Sequence, residues 1–169
     1  MKKKNRMEWY QKNIGFDNHQ AEIGGFPEKF VFVKVHKLLG EADGLNEDII
    51  YGSACGMWLL NLDKCRKADY VLALDSGIVV GVYKTDASRW SRVEDLTLAE
   101  RYLCGLKRYD RIVAACKRGG KDAKRVYFAK SDEECDERIK GLLGKRLCYG
   151  SDDKSLKAQN RHYSLKWDK

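Results

Sequence analysis

The stretch from Asp69 to Thr85 constrains the fold more than any other part of the chain. Two runs, Asp69–Asp75 (DYVLALD) and Ile78–Thr85 (IVVGVYKT), are dense in β-branched and aromatic residues, whose shapes suit a pleated, packed surface. The Asp75-Ser76-Gly77 step between them is the signal of a tight hairpin. Both faces of both runs read apolar, so the pair is expected to be covered on two sides. Gly81 interrupts the second run and predicts a bulge or a bend.

Other elements arrange themselves around that hairpin. Phe30–His36 (FVFVKVH) predicts a strand with Val31, Val33 and Val35 on its core face. After a Gly40–Gly44 loop, Asn46 is placed to cap a helix that opens with Glu47 and Asp48 and ends around Gly56. Leu96 to Cys116 has apolar residues at three-four spacing and predicts a helix broken near Gly105. Lys124–Lys130 and Arg146–Tyr149 read as strands, and His162–Trp167 as a last one. Ser131-Asp132-Glu133-Glu134 has the pattern of a capping box, predicting a helix through Ile139 and Leu142 that Gly144 ends.

Residues 1–29 carry Trp9, Tyr10, Ile14, Phe16, Ile23 and Phe26, too many apolar groups for a disordered tail. They are read as a packed extension of one domain spanning 30–169, within which 96–120 reads as a helical insertion. The expected class is α+β: a small curved mixed sheet or barrel with peripheral helices. At 169 residues the chain is long enough to fold on its apolar core alone.

No run approaches the ~18 apolar residues of a membrane helix, and Lys2–Lys4 are not followed by an apolar signal segment. A cytoplasmic protein without membrane contact is expected. The six cysteines form no Cys-x-x-Cys pair, so they are read as reduced, mostly buried hydrophobes, with no metal and no cofactor expected.

Charge supplies the main clue to a partner. The formal net charge is +8, and residues 91–130 hold eleven basic against five acidic side chains, or +6 of that excess. Lys107, Arg108, Arg111, Lys117, Arg118, Lys121, Lys124 and Arg125 form a patch of the kind that meets phosphates, and Gly119-Gly120 allows close backbone approach. A solvated basic helix and turn is the plainer alternative. Tyr51, Trp58 and Trp90 offer stacking surfaces. The Gln159-Asn160-Arg161-His162-Tyr163 run gathers amide, guanidinium, imidazole and phenol groups that read base edges or phosphates. Together Tyr51, Trp58, Trp90, Gln159, Asn160 and Tyr163 are the candidate pocket, with core packing and loop hydrogen bonding as the alternatives.

Phosphate-loop, dinucleotide, nucleophile-elbow and zinc-protease signatures are missing. Cys55 falls near a predicted helix C-terminus, where a thiolate is disfavoured. The expectation is a nucleic-acid-binding module. One rival is a small nucleic-acid- or nucleotide-processing enzyme, using His162 or His36 as base and Arg125 or Arg161 as anion stabiliser. Another is a protein-interaction or phage inhibitory factor with an exposed aromatic surface.

Tyr51–Trp58, then Ala68–Ala73, Gly77–Tyr83 and Trp90 resemble a group of uncharacterised bacterial and phage domains. That pattern is a Tyr before a Gly-x-Trp, an apolar hairpin, a Val-Tyr strand and a following Trp. Arg125–Phe128, Gly144-Lys145 and Gln159-Asn160 resemble the same group's ending, so the resemblance spans about residues 31–167. The group tends to carry an arginine where this chain has Cys55. The resemblance implies a shared fold rather than an activity. A small curved sheet with basic charge is also similar to PUA-like barrels, which implies an RNA or modified-base partner.

Overall fold

The hairpin forms and stands at the centre of the larger of two sheets. The computed structural model describes residues 1–95, 110, 114, 117–119, 125–148 and 163–166, with the backbone alone for Met57, Glu94, Cys148 and 163–166. Strands β4 (Tyr70–Asp75) and β5 (Ile78–Lys84) pair antiparallel. Ser76 and Gly77 between them have φ of 55° and 85°, the two left-handed positions of a hairpin turn whose twist matches its strands.

The chain adds strands on both sides of this pair. β2 (Phe30–Lys34) lies parallel to β4, and β9 (Tyr163–Lys166) runs antiparallel along β2. On the other flank, β8 (Arg146–Cys148) meets β5 antiparallel and carries β1 (Gln20–Glu22) parallel to itself. The mixed sheet therefore has the order β1-β8-β5-β4-β2-β9. A smaller antiparallel sheet has the order β3-β7-β6, from Gly56–Leu59, Arg125–Phe128 and Trp90–Arg92. Neither sheet closes on itself. The α+β class with peripheral helices is what forms, as open sheets rather than a barrel.

Every residue of β4 is buried, because the mixed sheet is covered on both faces. Val31, Val33, Val71 and Ala73 join one cluster with Tyr10 of α1 (Lys3–Ile14), Leu39 of α2 (His36–Glu41) and Ile50 of α3 (Glu47–Cys55). The small sheet packs into the same cluster through Trp58, Trp90 and Phe128. Phe30, Phe32, Leu72, Leu74 and Val79 face the other way, onto Ile23, Ile139 and Leu142. Alternation along each strand is thus between two cores, which is why its faces look alike in the sequence.

Local signals fare unevenly. Asn46 caps α3 as expected, its side-chain oxygen accepting from the Ile49 N–H at 2.8 Å. Removing that acceptor leaves a helix-end donor unsatisfied, so Asn46→Ala is expected to cost about 1 kcal/mol, read from the denaturant midpoint. An unchanged midpoint would show that water replaces the cap at no loss.

The strand at Phe30 stops at Lys34. Val35 takes helical dihedrals (φ −95°, ψ −1°) and occupies the N-cap position of α2 without a side-chain cap, while remaining fully buried. The expected capping box at Ser131 is instead a local turn, with Ser131 Oγ accepting from the Glu133 N–H at 3.2 Å. Asp136 caps the helix, which is the single turn α5 (Glu137–Lys140), and its carboxylate accepts from the Arg138 N–H at 2.8 Å. The short helix α4 (Leu62–Cys65) precedes β4, and single 3-10 turns at Ala87–Arg89 and Val93–Asp95 flank β6. Most of the expected Leu96–Cys116 helix lies outside the described residues.

Candidate functional site

The geometry of the site begins with the bulge in β5. Ala73 pairs with Gly81 while Leu74 pairs with Val79, so Val80 is an extra residue in the ladder. One inserted residue reverses the facing of everything beyond it. Ile78 and Val80 point to the α1–α3 side, and past the bulge it is Tyr83, not Val82, that points there. The Tyr83 ring folds back over Gly81, where any Cβ would meet it closer than 3.0 Å. Glycine at 81 and the bulge together aim a phenol at the surface between α1 and α3.

That surface is a cleft of about 630 Å³, within the range of small-ligand sites. Trp9 and Ile14 of α1 form one wall, Ile50 and Tyr51 of α3 another, and Val80 and Tyr83 the floor. Tyr51 and Tyr83 lie 5.2 Å apart, centroid to centroid, and each packs on Phe128. Burial holds both phenols above their ordinary pKa, with the Cys55 thiol adding to it.

Charged groups ring the mouth: Glu47 and Asp48 at the start of α3, the loop of Asp132, Glu133 and Glu134, and the ammoniums of Lys84, Lys130 and Lys140. Lys84 is held by Glu133 at 2.5 Å, and Lys140 by Glu137 at 3.5 Å. The Lys130 ammonium sits 4.8 Å over the Tyr51 ring, and its backbone N–H donates to the Tyr51 hydroxyl at 3.0 Å.

The α1 wall is fixed by an ionic lock. Arg6 Nε and the Tyr10 hydroxyl donate to the same oxygen of Asp75, at 2.6 and 2.8 Å, and the Asp75 side chain has no solvent exposure. Burial pushes the Asp75 carboxyl upward. Hydrogen bonds from Arg6 and Tyr10 and the Arg6 charge outweigh it, leaving the pKa below the ordinary carboxylate value.

Tyr51 lines the cleft. Trp58 and Trp90 are inside the core, at 7% and 2% exposure, with the Trp58 indole N–H donating to the Ala54 carbonyl at 2.7 Å. Cys55 is fully buried. Lys117 and Arg118 are exposed, in a helical turn closed by the Arg118 N–H to Ala114 carbonyl bond and followed by Gly119 at φ 81°. Arg125 is half-buried at the start of β7. Lys107, Arg108, Arg111, Lys121, Lys124, Gln159, Asn160 and the Tyr163 side chain lie outside the described residues.

Trp9, Glu47 and Tyr83 are cleft residues absent from the candidate pocket read from the sequence. The one available signal was the Gly81 interruption, which marked the bulge but not the side chain it redirects. No helix among the described residues is long and apolar enough to cross a membrane. No protein-family model matches the chain, and no curated protein and no solved structure matches it.

Proposed function

We propose that this chain is a nucleic-acid-binding module that holds the phosphate backbone through the basic patch between Lys107 and Arg125. The carrying observation is the concentration of charge, +6 of a net +8 within forty residues. That segment leaves the small sheet after β6 and re-enters it at β7, strands that are hydrogen-bonded neighbours. Both ends of the cationic stretch are thus tethered to one sheet, and arginines stand at the two junctions, Arg92 and Arg125. Clustered cations of this kind gain affinity by releasing counterions from a polyanion. Trp58 and Trp90 belong to the core, so the reading is confined to phosphate contacts and assigns no base stacking to those rings.

The test is charge reversal at Lys117, Arg118, Lys121 and Lys124, measured as binding to labelled mixed-sequence duplex DNA and duplex RNA across a salt series. The unmodified chain is expected to lose affinity steeply with salt, its log–log slope growing by about 0.9 per phosphate contact on B-DNA. The reversed chain is expected to bind at least tenfold more weakly, with an unchanged melting temperature. Equal retention of both chains on the nucleic acid would end this reading.

A further inference from the structure

We propose that the cleft between α1, α3 and β5 is a separate binding site for a small organic cation, an ammonium or guanidinium joined to an apolar or aromatic body. Its sign is opposite to that of the molecule. In a chain of net charge +8, the cleft is ringed by five carboxylates and three ammoniums. Two of those ammoniums are already committed to ion pairs with Glu133 and Glu137. Glu47, Asp48, Asp132 and Glu134 have no ion-pair partner among the described residues and are exposed at the mouth. A phosphate would meet this rim as a like charge, which keeps the site distinct from a backbone-binding surface.

The walls give the rest of the ligand its character. Trp9, Ile14, Ile50 and Val80 line the cleft with apolar side chains, and Tyr51 and Tyr83 add two aromatic rings. Aromatic faces attract cations through their quadrupole, within about 6 Å of the centroid. The chain already makes such a contact here, with Lys130 over Tyr51 at 4.8 Å. Tyr83 is the second ring and carries no cation of the chain's own among the described residues. Tyr83 and Glu47 line the same cleft. A ligand ammonium seated between Glu47 and the Tyr83 ring meets a formal charge, a π-face and a hydroxyl oxygen together, while its body covers the Trp9 wall.

Three probes of one shape separate charge from shape: phenethylamine, neutral 2-phenylethanol and anionic 3-phenylpropanoate, titrated into the full chain and followed by two-dimensional NMR. Phenethylamine is expected to bind saturably, at least tenfold more tightly than the alcohol, with shifts centred on Trp9, Glu47 and Tyr83. Glu47→Gln with Asp48→Asn is expected to reduce the preference for amine over alcohol at least fivefold. Gly81→Ala keeps every charge, pushes the Tyr83 ring out of its place and is expected to weaken all three probes. A preference for the anion, equal binding of amine and alcohol, or no saturable amine binding each overturns the proposal. Nucleic-acid binding is expected to be the same in the Glu47/Asp48 variant as in the unmodified chain, so this site and the cationic segment fail or stand separately.

Discussion

Asp75→Ala is expected to destabilise the fold by about 3–5 kcal/mol, the range for removing one partner of a buried ion pair. Arg6 would be left at 7% side-chain exposure with its charge unanswered, and the Tyr10 hydroxyl would lose its acceptor. Most of that loss is the cost of stranding a charge, not the worth of the pair. Replacing the trio with apolar groups of similar size, by Arg6→Met, Tyr10→Phe and Asp75→Leu, is therefore expected to recover most of the stability. The same lock sets an acid limit. Because the folded pKa of Asp75 lies below its ordinary value of 3.8, its contribution is fully present above that value. It is lost as pH falls through the lower folded pKa. Urea unfolding between pH 2.5 and 7 is expected to show a shallower acid decline in the apolar triple variant than in the unmodified chain. A loss of under about 1 kcal/mol in Asp75→Ala would mean that water reaches the guanidinium and that the lock contributes little.

Gly144→Ala is the second large effect, and it works through backbone rather than charge. Gly144 has φ +79°, and its N–H donates to the Val79 carbonyl at 2.8 Å. A Cβ there would come closer than 3.0 Å to the Ile14 carbonyl oxygen and 3.3 Å from the backbone of Gly15 and Phe16. The obstacle is the C-terminal end of α1, which has no rotamer to change, so α1 or the α5–β8 turn must move. Gly15→Ala is the control: φ is +66°, but no atom lies within 4 Å of the added carbon. The control is expected to cost about 1–2 kcal/mol for its left-handed backbone. Gly144→Ala is expected to cost that plus about 1–3 kcal/mol for forced displacement, with faster proteolytic cleavage before Gly15. Equal losses in the two variants would show that α1 yields freely at this contact.

How much of this was legible in the sequence depended on the range of the interaction responsible. The hairpin, the Asn46 cap and the strand at Arg125–Phe128 rest on neighbours within a few residues, and such local signals are carried by the sequence itself. The two-sided burial of β4 was legible for the same reason, since alternate positions were equally apolar. Helix α1 was not. It buries mainly Arg6 and Tyr10, and its fixed point is an aspartate sixty-nine positions from Arg6, so neither periodicity nor capping announces it. Asp75 itself had an adequate local explanation as a turn residue. The cleft was illegible for a related reason: its walls come from α1, α3, β5 and the loop after β7, and Tyr83 faces it only because one residue is inserted upstream. Trp58 and Trp90 illustrate the converse, since a large amphipathic ring reads the same in a core as at a binding surface.

The pairing order of the mixed sheet has a consequence for how the protein is made. The turn joining β4 to β5 lets that hairpin close within microseconds, and β2 can join as soon as Tyr70 has followed it. The flanks must wait. Phe30 meets Lys166 across the β2–β9 ladder, and Gln20 meets Arg146 across β1–β8. At about 5–20 residues per second, β2 spends on the order of ten seconds on the ribosome with one bare edge, apolar but for Lys34. During that interval the half-built sheet is an open template for another nascent copy. Translational stalling before Arg146 is thus the circumstance in which this chain is most exposed to co-aggregation.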